Sequence, residues 1–266
     1  MSLASEVEKI LSEVRDLEGH ITEREMVILA VAALFPTAKG EILEIGSFKG
    51  KSTCILSKGA LLSDGAIVYA VDPLTSPSKT DPDLKGKESV EGEFRQNISD
   101  MGVEDHIKFY KMFSQDLAKK WNTPLRLLWI DGDHTYKGAK QDFDNFSPYL
   151  VDGAIIMIDD VLHRFSGPLR VYLENIVLSD HFGAMGLCGS IGWAQYKKDR
   201  KEVVPYKKNK ITLYRKLSKL VQYVALNDID DTGALGPIDM IRFKFLRSRI
   251  PHKEINLDEW VKQVSL

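Results

Sequence analysis

Two apolar segments of this 266-residue chain run into acid, "LLWIDGDHTY" and "AIIMIDDV". An apolar run of strand length that stops at a carboxylate puts that group at the carboxyl edge of a sheet, where open α/β sheets hold their ligands. Asp131 ends the first run, and Asp159 with Asp160 ends the second. Adjacent parallel strands lie about 5 Å apart, so the three side chains converge unless local turns splay them. Clustered like charges are costly without a cation. Hard oxygen ligands select magnesium, calcium or manganese, and an octahedron completed by water and substrate oxygens favours magnesium. The competing reading is that these aspartates serve turns and caps, with no metal. His134 and Asp133 stand beside the cluster, and an imidazole with an ordinary pKa near ~6.5 suits proton transfer. His163, just past the acidic pair, is a weaker candidate for substrate contact, and Tyr136 is expected to pack or orient its neighbours.

A second constellation is the stretch "GEILEIGSFKGKST", Gly40 to Thr53. Its end nearly spells a P-loop, which needs four residues between its glycine and the Gly-Lys-Ser/Thr. Gly46 and Gly50 enclose only Ser47, Phe48 and Lys49. A loop one residue short cannot make that phosphate nest, although "LRLLWID" does look like the strand that carries a magnesium-holding Asp in such enzymes. Glu44, Gly46 and Gly50 instead give acidic-x-Gly-x-x-x-Gly after a first strand. Glycines there let the backbone turn sharply and approach a ligand closely. The dinucleotide pattern G-x-G-x-x-G is missing, which disfavours hydride transfer. Asp72, in "YAVDP", either accepts the hydroxyls of a cofactor ribose or caps a turn before Pro73. Ser114, in "SQD", is a plausible helix N-cap.

Taken together, these segments resemble the class I S-adenosylmethionine (SAM)-dependent methyltransferases. The opening motif resembles their first glycine loop. "DGDHTY", "KGAKQDFDNFSPYLVDG" and "IDDV" resemble the metal-dependent O-methyltransferase group of macrolide-sugar and aminocoumarin-sugar enzymes, which has relatives described as cephalosporin hydroxylases. Catechol and caffeoyl-CoA O-methyltransferases share the plan more distantly. The resemblance spans about residues 40–197 and implies a Rossmann-like fold. It implies SAM as cofactor, with Glu44, Gly46, Ser47, Gly50, Ser52, Asp72 and Asp131 on the cofactor side and Ser114 and Gln115 at the adenine end. It implies Asp131, Asp159 and Asp160 as ligands of magnesium or another divalent cation. His134 falls where the group places its general base; Asp133 is the rival base or an orienter of the metal water. A cation would polarise an acceptor hydroxyl so that a weak base can deprotonate it while positioning does the rest. The Asp-Asp pair, in place of the Asp-Asn of the catechol type, leans the acceptor toward a saccharide. The hydroxylase relatives imply a second possibility, the same cofactor with other chemistry. A third is a non-catalytic module that binds an anionic partner.

The elements that must position these residues follow from periodicity. Ser5 to Leu17 and Thr22 to Leu34 carry apolar residues at helical spacing. Strands are expected at Glu41–Gly46, Ala66–Asp72, 107–112, Leu125–Asp131 and 153–160. Between them fall helices at 50–63, Val90–Met101, Ser114–Trp121 and Tyr136–Leu150, with another at Gly167–Leu178. Such alternation means βαβ units and a parallel sheet with both faces covered. "FGAMGLCGSIGWAQYKK" adds two strands around a Gly-Ser turn, an antiparallel edge hairpin. The expected fold is α/β and doubly wound, with a mostly parallel seven-stranded sheet. Amino-terminal helices occupy 1–38, the methyltransferase domain 39–198, and a basic helical carboxy-terminal extension 199–266.

Bulk properties agree. With 44% hydrophobic and 28% charged residues and a net charge of −2, the chain reads as a soluble globular protein and not as a dedicated nucleic-acid binder. Its two cysteines, Cys54 and Cys188, lie far apart in apolar stretches and fit buried thiols in a reducing cytoplasm. No signal region or membrane span is evident. Residues 197–219 hold ten Lys/Arg and two acidic residues. That is either a solvated basic helix packed on the sheet or a surface for an anionic partner: nucleic acid, a membrane or a phosphorylated sugar. "NLDEWVKQV" is expected to close the tail as a helix. The expected partner is a small hydroxylated acceptor, and self-association into a homo-oligomer is allowed.

Overall fold

The computed structural model describes residues 2–75, 89–226, 236–252 and 254–265. The polar loop from Leu74 to Ser89, which its sequence marks as a candidate lid and substrate wall, lies mostly outside them. Seven strands form one sheet: β1 (Glu41–Ile45), β2 (Val68–Val71), β3 (Ile107–Tyr110), β4 (Leu125–Ile130), β5 (Leu150–Ile158), β6 (Phe182–Cys188) and β7 (Ile191–Tyr196). Their order is β3-β2-β1-β4-β5-β7-β6. The first five pair in parallel, while β7 runs antiparallel to both β5 and β6. The chain therefore reverses its winding between β1 and β4, and the crevice at such a reversal is where open α/β sheets bind ligands.

Alternation along the strands covers both faces. Ile42, Leu127, Trp129, Ile155 and Met157 face α1 (Leu3–Val14), α2 (Glu23–Leu34), α3 (Lys51–Leu61) and α4 (Glu91–Asp100). Leu43, Leu128, Ile130, Ile156 and Ile158 face α5 (Ser114–Ala118), α6 (Tyr136–Phe146), α7 (Ser166–Val171) and α8 (Lys207–Leu226). The α8 helix applies Leu213, Leu217, Leu220 and Val224 to this second layer, an i, i+4, i+7, i+11 stripe. Its basic face is turned outward, save Lys210, whose buried Nζ donates to the carbonyls of Ser179 and Phe182. Two further helices follow, α9 (Pro237–Ser248) and α10 (Leu257–Val264). Trp260 of α10 is 1% exposed and joins the first layer's core against Trp193 and Phe35.

Element ends differ from the expectation in readable ways. Helix α6 stops at Phe146 because Pro148 opens a 3-10 turn, and β5 then begins at Leu150 and runs nine residues. Helix α5 is only five residues long, and α7 passes into a π-wound segment, Tyr172–Val177. Cys54 and Cys188 are free and buried. Among the described residues no helix is long and apolar enough to cross a membrane.

Candidate active site

The glycine loop leaves β1 at the winding reversal. Gly46 has φ +87°, and a Cβ there would sit 1.9 Å from the Asp131 carbonyl oxygen, so the tips of β1 and β4 can meet only at glycine. Gly50, at φ +86°, starts α3 as its N-cap. Between them the loop is held from beneath by Glu44. This side chain is fully buried, and its Oε2 accepts from the Ser47 hydroxyl (3.0 Å) and the Thr53 hydroxyl (2.5 Å). Burial pushes the Glu44 carboxyl up to about 7, against the pull of the Ser52, Thr53 and Ser47 hydroxyls. Ser47 and Ser52 are themselves 2% and 4% exposed. Glu44, Ser47 and Ser52, expected on the cofactor side, thus form the buried footing of the turn and fix its backbone.

Asp72 holds the same turn from the side. Its Oδ2 accepts from the backbone N–H groups of Ser47 (2.7 Å) and Phe48 (2.9 Å), and its Oδ1 from that of Leu74 (2.6 Å). Asp72 therefore caps the turn, as one of its two sequence readings has it, and stands at the crevice with carboxylate lone pairs to spare. Lys49 and Lys51 tie the loop to the amino-terminal helices, contacts that the motif reading missed. Lys49 pairs with Glu18 at 2.5 Å, and Lys51 Nζ donates to the carbonyls of Arg15 (3.0 Å) and Leu17 (2.8 Å). His20 packs against Phe48 with the rings tilted by 34° and their centroids 5.5 Å apart. The link between α1 and α2 therefore lies across the loop. Two lysines in a stretch otherwise fit for burial were the only sequence signal of this.

The acidic tips form the opposite bank. Asp131 N–H donates to the Ile45 carbonyl at 2.8 Å and Asp159 N–H to that of Ile130 at 2.9 Å, fixing both residues to the sheet edge. Burial, then the charges of Asp159 and Asp160, hold the Asp131 carboxyl well above the usual range. No described residue donates a hydrogen bond to it. Burial and the neighbouring Asp160 likewise raise Asp159, whose Oδ1 accepts from Ser190 Oγ (2.9 Å) and Asp160 N–H (2.8 Å). Ser190 also donates through Oγ (2.7 Å) and N–H (2.6 Å) to the buried Glu25 of α2. Asp160 turns away. Its φ of +57° aims the carboxylate at His134, and Nε2 and Oδ2 lie 3.0 Å apart. Burial works to raise Asp160, but the His134 hydrogen bond and the charges of His134, His163 and Arg247 hold it below the usual carboxylate range. Burial lowers His134, yet the bond and charge of Asp160, then Asp159 and Asp133, carry it above its ordinary value. His134 stacks on Phe165 (4.5 Å), whose ring also stacks on His163 (4.8 Å).

The expected three-aspartate metal set is not drawn together. Among the described residues no three His, Cys, Asp or Glu side chains gather to hold an ion, because Asp160 is committed to His134. Asp131 and Asp159 still fit a divalent cation by their chemistry. They are hard, half-buried, mutually repelling carboxylates, and nearby positive charge would relieve them. Asp133 is exposed and its Oδ1 accepts from Thr135 N–H at 2.8 Å, so it shapes the approach to α6. Ser114 does not cap α5, where Phe113 is the N-cap. Its hydroxyl donates to Asp142 at 2.5 Å instead, and Gln115 is exposed and accepts from Gln141 at 3.1 Å. Phe48, Leu74 and Asp160 are the described non-glycine residues with positive φ, and all three follow strand tips at this edge. Such strain concentrates at functional sites.

A cleft of about 760 Å³ opens beside this edge, bordered by Arg24, Glu25, Gly189, Arg247 and Glu254 among others. Residues 43–161 match the family model of a methyltransferase domain. The chain is also similar to three solved O-methyltransferases. For the enzyme from Bacillus cereus, in complex with SAH, identity is 20% and the TM-score 0.52, over 73% of this chain and 91% of that one. For NovP the figures are 16% and 0.55, over 72% and 88%. For TomG from Streptomyces achromogenes, in complex with SAM, they are 15% and 0.50, over 72% and 89%. At these identities the likeness to solved structures is one of fold. With the glycine loop, Asp72 and the acidic tips arranged around one winding reversal, this chain has the fold of the class I O-methyltransferases, and its residues 43–161 match a methyltransferase domain.

Proposed function

We propose that the protein moves the methyl group of SAM onto a hydroxyl of a small acceptor, with a saccharide the favoured class. The observation that carries this reading is the Asp160–His134 pair at the tip of β5, across from the glycine loop. The transfer is an in-line displacement: the acceptor oxygen bonds to the methyl carbon, the sulfonium bond breaks, and the hydroxyl proton must leave. Asp160 accepts from Nε2–H and so fixes the imidazole tautomer, which leaves the lone pair of Nδ1 for that proton. Among the described residues, Nδ1 is buried without a partner. Asp133 is engaged at the α6 turn, so His134 is the better base. Asp72 would receive the ribose hydroxyls, with Ser114 and Gln115 toward the adenine. Asp131 and Asp159 would hold a divalent ion, and a bound magnesium would supply polarisation of the acceptor hydroxyl.

Calorimetry with SAM and its demethylated product, paired with turnover on hydroxylated acceptors, tests this reading. We expect His134→Gln to lower kcat by about 10²- to 10⁴-fold while product affinity stays within about twofold. Asp159→Ala should abolish turnover with the product still binding, and EDTA should do the same to the wild type. Failure to bind either cofactor form would overturn the reading, and unchanged turnover in His134→Gln would remove that base.

A further inference from the structure

The loop that follows the acidic pair carries a cluster of cationic groups that methyl transfer does not use. His163 and Arg164 come from this loop, Ser166 from the first position of α7, and Arg247 from α9, in the extension. Arg247 lies within electrostatic reach of both His163 and Asp160, and Arg164 acts on His163. Four polar atoms here are buried without a hydrogen-bond partner among the described residues: His163 Nδ1, Arg164 Nε, Arg247 Nε and Ser166 Oγ. Ser166 is only 1% exposed. Neither arginine forms an ion pair with a described residue.

Among the described residues, the nearby acids do not take up these donors. Asp160 is the carboxylate that acts on His163, and its Oδ2 is already taken up by His134. Glu25 and Glu254 border the same cleft as Arg247, but Glu25 accepts from Ser190, and no ion pair among the described residues joins either glutamate to the two guanidiniums, which stay protonated. Buried donors without acceptors are rare and costly in folded proteins, and a forked guanidinium matches the oxygens of phosphate or carboxylate. The stack of His134, Phe165 and His163 sets this cluster one aromatic ring away from the proposed base. Arg247 also borders the open cleft, which gives an acceptor a path to it.

We propose that Arg164, Arg247, His163 and Ser166 bind an anionic group of the methyl acceptor, so that the substrate is an acidic or phosphorylated polyol and not a neutral one. This rests on reading the Asp160–His134 pair as the centre of transfer. It also gives the extension a role at the site through Arg247.

Calorimetric titration of the full chain with glucose, glucuronate and glucose 6-phosphate, with and without the demethylated cofactor product, tests the inference. We expect at least one charged sugar to bind about tenfold or more tightly than glucose, and the two charged probes separate carboxylate from phosphate. Arg164→Gln and Arg247→Gln should each remove most of that preference and leave product affinity within about twofold. Arg247→Lys should keep part of it, and Arg249→Gln, which alters an exposed arginine stacked on Phe245, should keep all of it. Charged sugars that bind no better than glucose to the wild type would overturn the anion site, as would a preference that survives both Gln substitutions. Loss of product binding with the sugar preference intact would instead count against methyl transfer.

Discussion

At the scale of single residues, Glu44 shows what a motif position does once it is folded. The acidic residue before the first glycine was legible as part of a cofactor motif, but a motif does not say which way a side chain points. It points inward, and its burial has a consequence for stability. The Glu44 carboxyl titrates near 4.5 when unfolded and about 7 when folded. Below 4.5 it is neutral in both states; as pH rises toward 7 the unfolded chain sheds the proton first, so folding stability falls across that window. Glu44→Gln should flatten this loss, which is on the order of 3 kcal/mol at most. Denaturant midpoints at pH 5 and pH 8 for both proteins would reveal it, and equal slopes would refute it. The aspartates were legible as strand ends, because an apolar run that stops at a charge marks a sheet edge. The turn of Asp160 toward His134 was not, because it depends on one backbone angle and a partner from the neighbouring strand tip.

At the scale of elements, the alternation of strands and helices was readable because both faces of the sheet are buried, which makes each strand a nearly continuous apolar run. One exception inside such a run is Arg126 of β4, 2% exposed. Its guanidinium donates to the carbonyls of Ala32 (3.4 Å) and Ala33 (3.2 Å) at the end of α2 and to Asp64 (2.9 Å). It therefore ties α2 to the sheet at the edge away from the site. Arg126→Ala should cost on the order of 3 kcal/mol, and Arg126→Met, which keeps the volume, less. Thermal unfolding would rank the two, with turnover per folded molecule unchanged in both. Where periodicity misplaced an end, the cause was local: Pro148 stops α6, and α5 is too short to show a period.

At the scale of the molecule, residues far apart in sequence share one core. Val7, Ile10, Leu29, Trp193, Trp260 and Val264 belong to a single apolar layer, so both termini help hold the sheet. Nothing in a tail of mixed composition announces that its tryptophan will seat there, since that depends on a surface built elsewhere. Trp260→Ala should cost about 3–5 kcal/mol, read from chemical denaturation. A midpoint unmoved by the substitution would mean that α10 is peripheral. The strap of Arg15 and Leu17 over Lys51, with Asp72 gripping the loop amides from the other side, has a kinetic corollary. If this turn receives the methyl donor as proposed, it would do so already cast, and no ordering of the turn itself would slow capture.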